Sequence, residues 1–115
     1  MDAFELSDLI AERKKQDRSY LEFLQTGSLS MGLYVLPAGG DDPQQPHTED
    51  EVYYVARGRG MIRVGDEDRA VHPGAIVYVK ANAVHYFHDI AEELTLLVFF
   101  APEEHSLKES KPSEF

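Results

Sequence analysis

Residues 39–58 read GGDDPQQPHTEDEVYYVARG, and the change of character inside this stretch decides the fold. Its first ten residues hold two glycines, two prolines and two aspartates, which is loop composition. From Val52 to Ala56 it becomes a run of β-branched and aromatic residues, so a strand begins near Glu51. In that strand Glu51, Tyr53 and Val55 share one face, and Val52 and Tyr54 the other. Both faces are apolar apart from Glu51. A carboxylate turned into a protein interior must be neutralised or coordinated, so Glu51 needs a partner. His47 stands four residues before it, at the loop-to-strand junction.

The same grammar extends in both directions. Short β-rich runs cover Tyr20–Leu24, Leu29–Leu36, Val52–Ala56, Met61–Val64, Ala75–Val79, Val84–Phe87 and Leu94–Phe100, which predicts seven or eight strands. Pro37-Ala-Gly-Gly40, Gly58-Arg-Gly60, Gly65-Asp66 and Pro73-Gly74 punctuate them as turns. Strands this short with no helices between them predict an all-β sandwich or barrel over residues 20–101. Ahead of it, residues 1–19 form a helical segment. Leu6, Leu9 and Ile10 have helical spacing, and Asp2 with Glu5 has the form of a capping box, so a short amphipathic helix is expected to brace or cover the main fold. Behind it, residues 102–115 are a polar tail. Glu103 to Glu114 carries the single apolar residue Leu107, and the tail is expected to be mobile or ordered only against a partner.

Composition narrows the function. With 115 residues there is room for one domain and one core, and 43% hydrophobic residues is ordinary for a globular protein. There are no cysteines, so disulfides and thiolate zinc sites are excluded, and a transition metal must be held by His, carboxylate or amide oxygen. A net charge of −10 repels phosphate backbones and anionic lipid, which argues against nucleic-acid and membrane partners. No apolar run reaches the roughly 20 residues that span a bilayer, and the start of the chain, with Asp2 and Glu5, does not resemble a signal peptide. A cytoplasmic location is expected.

A second histidine-bearing segment, VHYFHD at residues 84–89, supplies candidate partners for Glu51. In a strand, His85, Phe87 and Asp89 face one way, and Tyr86 and His88 the other. His85 is the second inward candidate. Two imidazoles and a carboxylate suit iron(II), manganese, zinc, nickel or copper, and three protein ligands leave positions open for substrate or oxygen.

These two segments resemble the paired motifs of the cupin superfamily. Its first motif, Gly-x5-His-x-His-x3-Glu-x6-Gly, is matched in frame by Gly39-x5-Gln45-x-His47-x3-Glu51-x6-Gly58. The second, Gly-x5-Pro-x-Gly-x2-His-x3-Asn, is matched by Gly74-x5-Lys80-x-Asn82-x2-His85-x3-Asp89. The resemblance covers roughly residues 29 to 101. It implies a double-stranded β-helix, or jelly roll, with one divalent metal ion inside, held by His47, Glu51 and His85. Gln45 stands where the family most often has its first histidine. Its amide oxygen can ligate a metal or hydrogen-bond a metal-bound water, and both roles stay open. Lys80 and Asn82 replace the proline and glycine of a tight turn, and Asn tolerates positive φ better than most residues.

Other candidates carry plainer readings. His72, His88 and His105 are expected at the surface. Tyr34, Tyr53 and Phe87, together with Phe99 or Phe100, read chiefly as barrel core, with Tyr53 and Phe87 the best residues for a substrate pocket because they share faces with ligands. The acidic stretch Asp41, Asp42, Glu49 and Asp50 reads as a solvated loop. The metal-free alternative is a polar interior satisfied by hydrogen bonds and water. The resemblance implies oxygen-dependent cleavage or oxidation of a small organic substrate. A metal-dependent isomerisation or decarboxylation, or a non-catalytic module that binds or senses a small molecule or metal, is the alternative. A homodimer, paired through sheet edges or the Tyr20–Leu24 segment, is also implied.

Overall fold

A computed structural model describes residues 1–43 and 46–106 of the chain. Among these residues one helix, α1 (Leu6–Lys14), precedes six strands: β1 (Tyr20–Gln25), β2 (Ser30–Leu36), β3 (Asp50–Val64), β4 (Glu67–Val71), β5 (Ile76–Val79) and β6 (His85–Ala101). The strands hydrogen-bond in the order β1-β2-β6-β3-β4, with β5 added beside the first part of β3, and every pairing is antiparallel. This is the all-β architecture of a double-stranded β-helix.

The strand count differs from the seven or eight expected, for two reasons. The runs either side of Gly58-Arg-Gly60 belong to one strand, β3, and those either side of residues 88–93 to another, β6. Gly58 and Gly60 do not turn the chain. They lie where the β3–β6 register slips between Val55 and Met61, so the glycines mark bulges rather than a hairpin. Gly58 has φ +96°, and a Cβ there would overlap the carbonyl oxygen of Glu93 and sit 2.8 Å from the Cα of Leu94. Conversely, β4 has no apolar run. Its residues Glu67 to Ala70 are exposed and only Val71 is buried, so backbone pairing with Gly60–Val64 makes the strand.

Alternation along β3 puts Glu51, Tyr53 and Val55 inside and leaves Tyr54 exposed, as the period of two requires. Along β6, His85 and Phe87 are inside, but Asp89 is exposed with φ +46°, so the strand breaks step there and Ile90 takes the interior position. The core is one cluster that includes Tyr34, Tyr53, Phe87, Leu96 and Phe100. Burying each such side chain stabilises the fold by about 2 kcal/mol.

The helix braces the outside of the barrel. Phe4 meets Phe23 edge to face at 4.9 Å, and Leu6 and Leu9 line one apolar cleft with Met31 and Leu97. No helix residue is fully buried. The expected capping box does not form: the helix starts at Leu6 with Glu5 as its cap, through the Glu5 carbonyl and without a side-chain bond. Asp2 lies too far ahead to reach it. Among the described residues no helix is long and apolar enough to cross a membrane.

Candidate metal centre

His47, Glu51 and His85 come together inside the barrel, and one ligand atom from each lies within 4.8 Å of the others. They are 4%, 1% and 3% exposed. Glu51 Oε1 is 3.0 Å from His85 Nε2 and 3.6 Å from His47 Nδ1. Backbone pairing fixes Glu51 between Val79 of β5 and Phe100 of β6. His85 starts β6, paired with Val64, directly after the turn that Asn82 closes with φ +66°. Asn82 N–H donates to the His47 carbonyl at 2.6 Å, and Ala81 N–H to Asp50 at 3.0 Å, so the turn of the second motif is sewn to the loop of the first.

The cluster's electrostatics fit a cation. Burial pushes the Glu51 carboxyl up, but the two imidazoles beside it outweigh that and hold it below the ordinary carboxylate range. Burial pushes both histidines down. Glu104 and Glu51 more than reverse this for His47, which rises to about 9, and Glu51 does so for His85. Both oxygens of Glu51 are buried and accept no aligned hydrogen bond among the described residues, even though His85 Nε2 is within ion-pair distance. Such a carboxylate is costly unless charge compensates it. Two imidazoles and one carboxylate with unsatisfied oxygens form a donor set compatible with a borderline divalent ion.

The surrounding residues fall into place with some corrections. Gln45 lies outside the described residues. Tyr53 and Phe87 are fully buried side by side, edge to face at 4.9 Å, and the Tyr53 hydroxyl is 3.1 Å from His85 Nε2. They form the inner wall beneath the cluster. The His85 Nδ1–H donates to the Ala83 carbonyl at 2.8 Å, which leaves Nε2 as the nitrogen facing Glu51. His72 is exposed, and His88 is a partly exposed residue bonded to Asp68 and Asp89.

The acidic loop is not merely solvated. Asp42 accepts from the Tyr34 hydroxyl at 2.5 Å and from Phe87 N–H at 2.9 Å, tying the loop to the core. Glu49 is buried and accepts from the Thr48 hydroxyl and from His105 N–H. Nor is the start of the polar tail detached: Glu104 is buried, with Oε2 3.2 Å from His47 Nε2 and 3.3 Å from His105 Nε2. Residues 107–115 of that tail lie outside the described residues. Glu104 escaped the sequence reading because it follows the last strand in a polar run with neither periodicity nor motif to single it out.

An antiparallel barrel with two histidines and a glutamate converging inside defines a class of protein, the small barrels built to hold a polar site within. The cupin domain model matches residues 32–101, well over half the chain, and the chain belongs to the cupin family. It is 50% identical over 104 residues to an uncharacterized protein of Streptomyces coelicolor, covering 90% of this chain and 99% of that one. Among solved structures it superposes on a protein of Thermus thermophilus with a TM-score of 0.72 at 27% identity, covering 89% of this chain and 98% of the other. The DMSP lyase DddQ of Ruegeria pomeroyi shares the fold, with a TM-score of 0.64 at 22% identity over 74% of this chain and 42% of its own.

Proposed function

We propose that this cupin holds one divalent metal ion between His47, Glu51 and His85 and acts through it on a small organic molecule, with oxidation by molecular oxygen as the leading reaction. The observation that carries the reading is the convergence of three buried donors around a carboxylate whose oxygens lack aligned hydrogen bonds. Two histidines and one carboxylate leave coordination positions for substrate and oxygen. Iron, manganese, zinc, nickel and copper all suit the donors, and a bound ion supplies Lewis acidity or, if redox-active, a centre for oxygen chemistry.

The chain's own residues supply the rest. Tyr53 and Phe87, fully buried, back the cluster, and the Tyr53 hydroxyl at 3.1 Å from His85 Nε2 supports a role in holding that ring. A cleft of about 340 Å³, whose lining includes Arg18, Glu22, Glu104 and His105, ends at Glu104, on the far side of the His47 ring from Glu51 and His85. The same donors also support isomerisation or decarboxylation without oxygen, and the lyase with this fold favours keeping that second reading. We also propose a homodimer formed through the apolar outer face of β3, β5 and β6, where Ile76 is 71% and Tyr78 59% exposed beside a cleft of about 600 Å³.

Metal analysis of the wild type and His85→Ala, before and after reconstitution with iron(II), manganese and zinc, tests the reading. Near-stoichiometric metal that the variant loses supports it, and an oxygen electrode then separates oxidation from oxygen-independent turnover. No metal under any condition overturns it. Saturable small-molecule binding without product leaves a binding module.

A further inference from the structure

The two nitrogens of His47 face different carboxylates. Nδ1 points to Glu51 at 3.6 Å and Nε2 to Glu104 at 3.2 Å. Glu104 is absent from the convergent donor set, so it addresses the ring from the side away from the cluster. A metal-ligating imidazole commonly donates its other N–H to a carboxylate or carbonyl, which fixes tautomer and ring orientation. His85 already has that support in the Ala83 carbonyl. Glu104 stands in the corresponding place for His47.

The turn that carries Glu104 is fastened rather than draped. Glu103 N–H donates to the Gly27 carbonyl at 3.0 Å, and Gly27 N–H returns a bond to the Glu103 carboxylate at 2.9 Å. Glu104 N–H donates at 2.9 Å to the hydroxyl of the fully buried Ser30, and His105 N–H at 2.9 Å to the buried carboxylate of Glu49. Four bonds thus tie three consecutive residues to the β1–β2 connection, to β2 and to the loop before β3. Glu104 itself is 5% exposed, and Oε2 makes no aligned hydrogen bond among the described residues. Burying a carboxylate is costly unless it is paired; the rings of His47 and His105 stand beside this one, and Glu22 of β1 adds a second carboxyl group against it.

We propose that Glu104 is a positioning residue for the metal site: its carboxylate, 3.2 Å from His47 Nε2 but not in line with it in the metal-free chain, takes the Nε2–H of His47 when the ion is bound and so presents Nδ1 to the ion, on the side of Glu51 and His85. This rests on the metal-binding reading above. It gives the two histidines opposite tautomers, His85 ligating through Nε2 and His47 through Nδ1. It also makes the segment after the last strand, outside both sequence motifs, part of the site.

Zinc affinity by competition titration of the full chain, for wild type, Glu104→Gln, Glu104→Ala and His85→Ala, provides the test, with long-range proton–nitrogen spectra of histidine-labelled, zinc-loaded protein. Wild type is expected to show His47 zinc-bound at Nδ1 with a proton on Nε2. Glu104→Gln and Glu104→Ala are expected to bind zinc about 10- to 100-fold more weakly, with unchanged saturating stoichiometry. Glu104→Gln preserves side-chain volume, and its metal-free melting curve reports whether the barrel stays folded. Wild-type affinity in both folded variants, or His47 bound through Nε2 in the wild type, overturns the proposal while leaving the metal site standing. Zinc binding by neither wild type nor any variant overturns the metal reading itself.

Discussion

Metal binding is expected to tighten steeply as the pH rises from 7 towards 9. In the metal-free chain His47 keeps its proton up to about pH 9, because Glu104 and Glu51 outweigh the burial that would expel it. His85 is raised as well, by Glu51. An imidazole nitrogen ligates only after losing its proton, so ion and proton compete. At pH 7, about two units below the His47 value, displacing that proton costs roughly 2.7 kcal/mol, or about 100-fold in apparent affinity. The affinity therefore climbs about tenfold per pH unit for each proton displaced and levels off above pH 9. Calorimetric titration with zinc at pH 6.5 to 8.5, in paired buffers of different ionisation enthalpy, reads both the slope and the protons released. Between one and two protons at pH 7 are expected. An affinity constant within about twofold over that range, with no proton release, would refute the coupling. The same linkage acts on the metal-free fold: a histidine raised from 6.5 to about 9 stabilises fully below pH 6.5, and that contribution is lost as pH rises through 9.

Gly58→Ala is expected to destabilise by about 3 kcal/mol, because φ +96° and the overlap with the Glu93 carbonyl cannot both be relieved in a paired strand. That corresponds to a fall in Tm of more than about 10 °C by circular dichroism, and a change under about 3 °C would show that the bulge tolerates a side chain. Ile76→Lys is expected to convert a dimer into a monomer with an unchanged far-ultraviolet spectrum, since it places a charge in the centre of the exposed apolar face. Light scattering after size-exclusion chromatography checks this, and a wild type already monomeric at about 100 μM would exclude the face as a dimer contact.

What was legible in the sequence is what period and motif encode. Strand β3 has a buried face, and the alternation of Glu51, Tyr53 and Val55 could be read because slipping by one residue would expose all three. Asn82 in place of a glycine was read correctly as a left-handed turn residue, from the tolerance of its short polar side chain. Gly58-Arg-Gly60 was not, since glycine serves a turn and a bulge equally and only long-range pairing tells them apart. Strand β4 was hidden because an edge strand held by backbone bonds needs no apolar pattern. Composition reads Asp42 and Glu49 as solvated and Glu104 as part of a tail mobile or ordered only against a partner, because it predicts average exposure and cannot see a Tyr34 hydroxyl or a His47 ring brought close by the fold.

The bulges also bear on the site, through length. An extended strand from Glu51 to Val64 would reach about 43 Å at roughly 3.3 Å per residue, more than the 34 Å of the molecule's longest axis. His85 is paired with Val64 at the far end of β3, yet its Nε2 touches Glu51 at the near end. Only a ribbon curled back on itself satisfies both. The register slips at residues 55–61 supply that curl, and Gly58 allows it by letting the β6 backbone close over a position with no side chain. The short path through Val79, paired with Glu51, and the turn at residues 80–84 pins His85 from the other direction. Gly58 therefore belongs to the proposed metal centre in the mechanical sense, seven residues from Glu51. In folded Gly58→Ala protein, zinc affinity is expected to fall along with stability, whereas a bulge that merely relieved packing would lower Tm and leave the affinity unchanged.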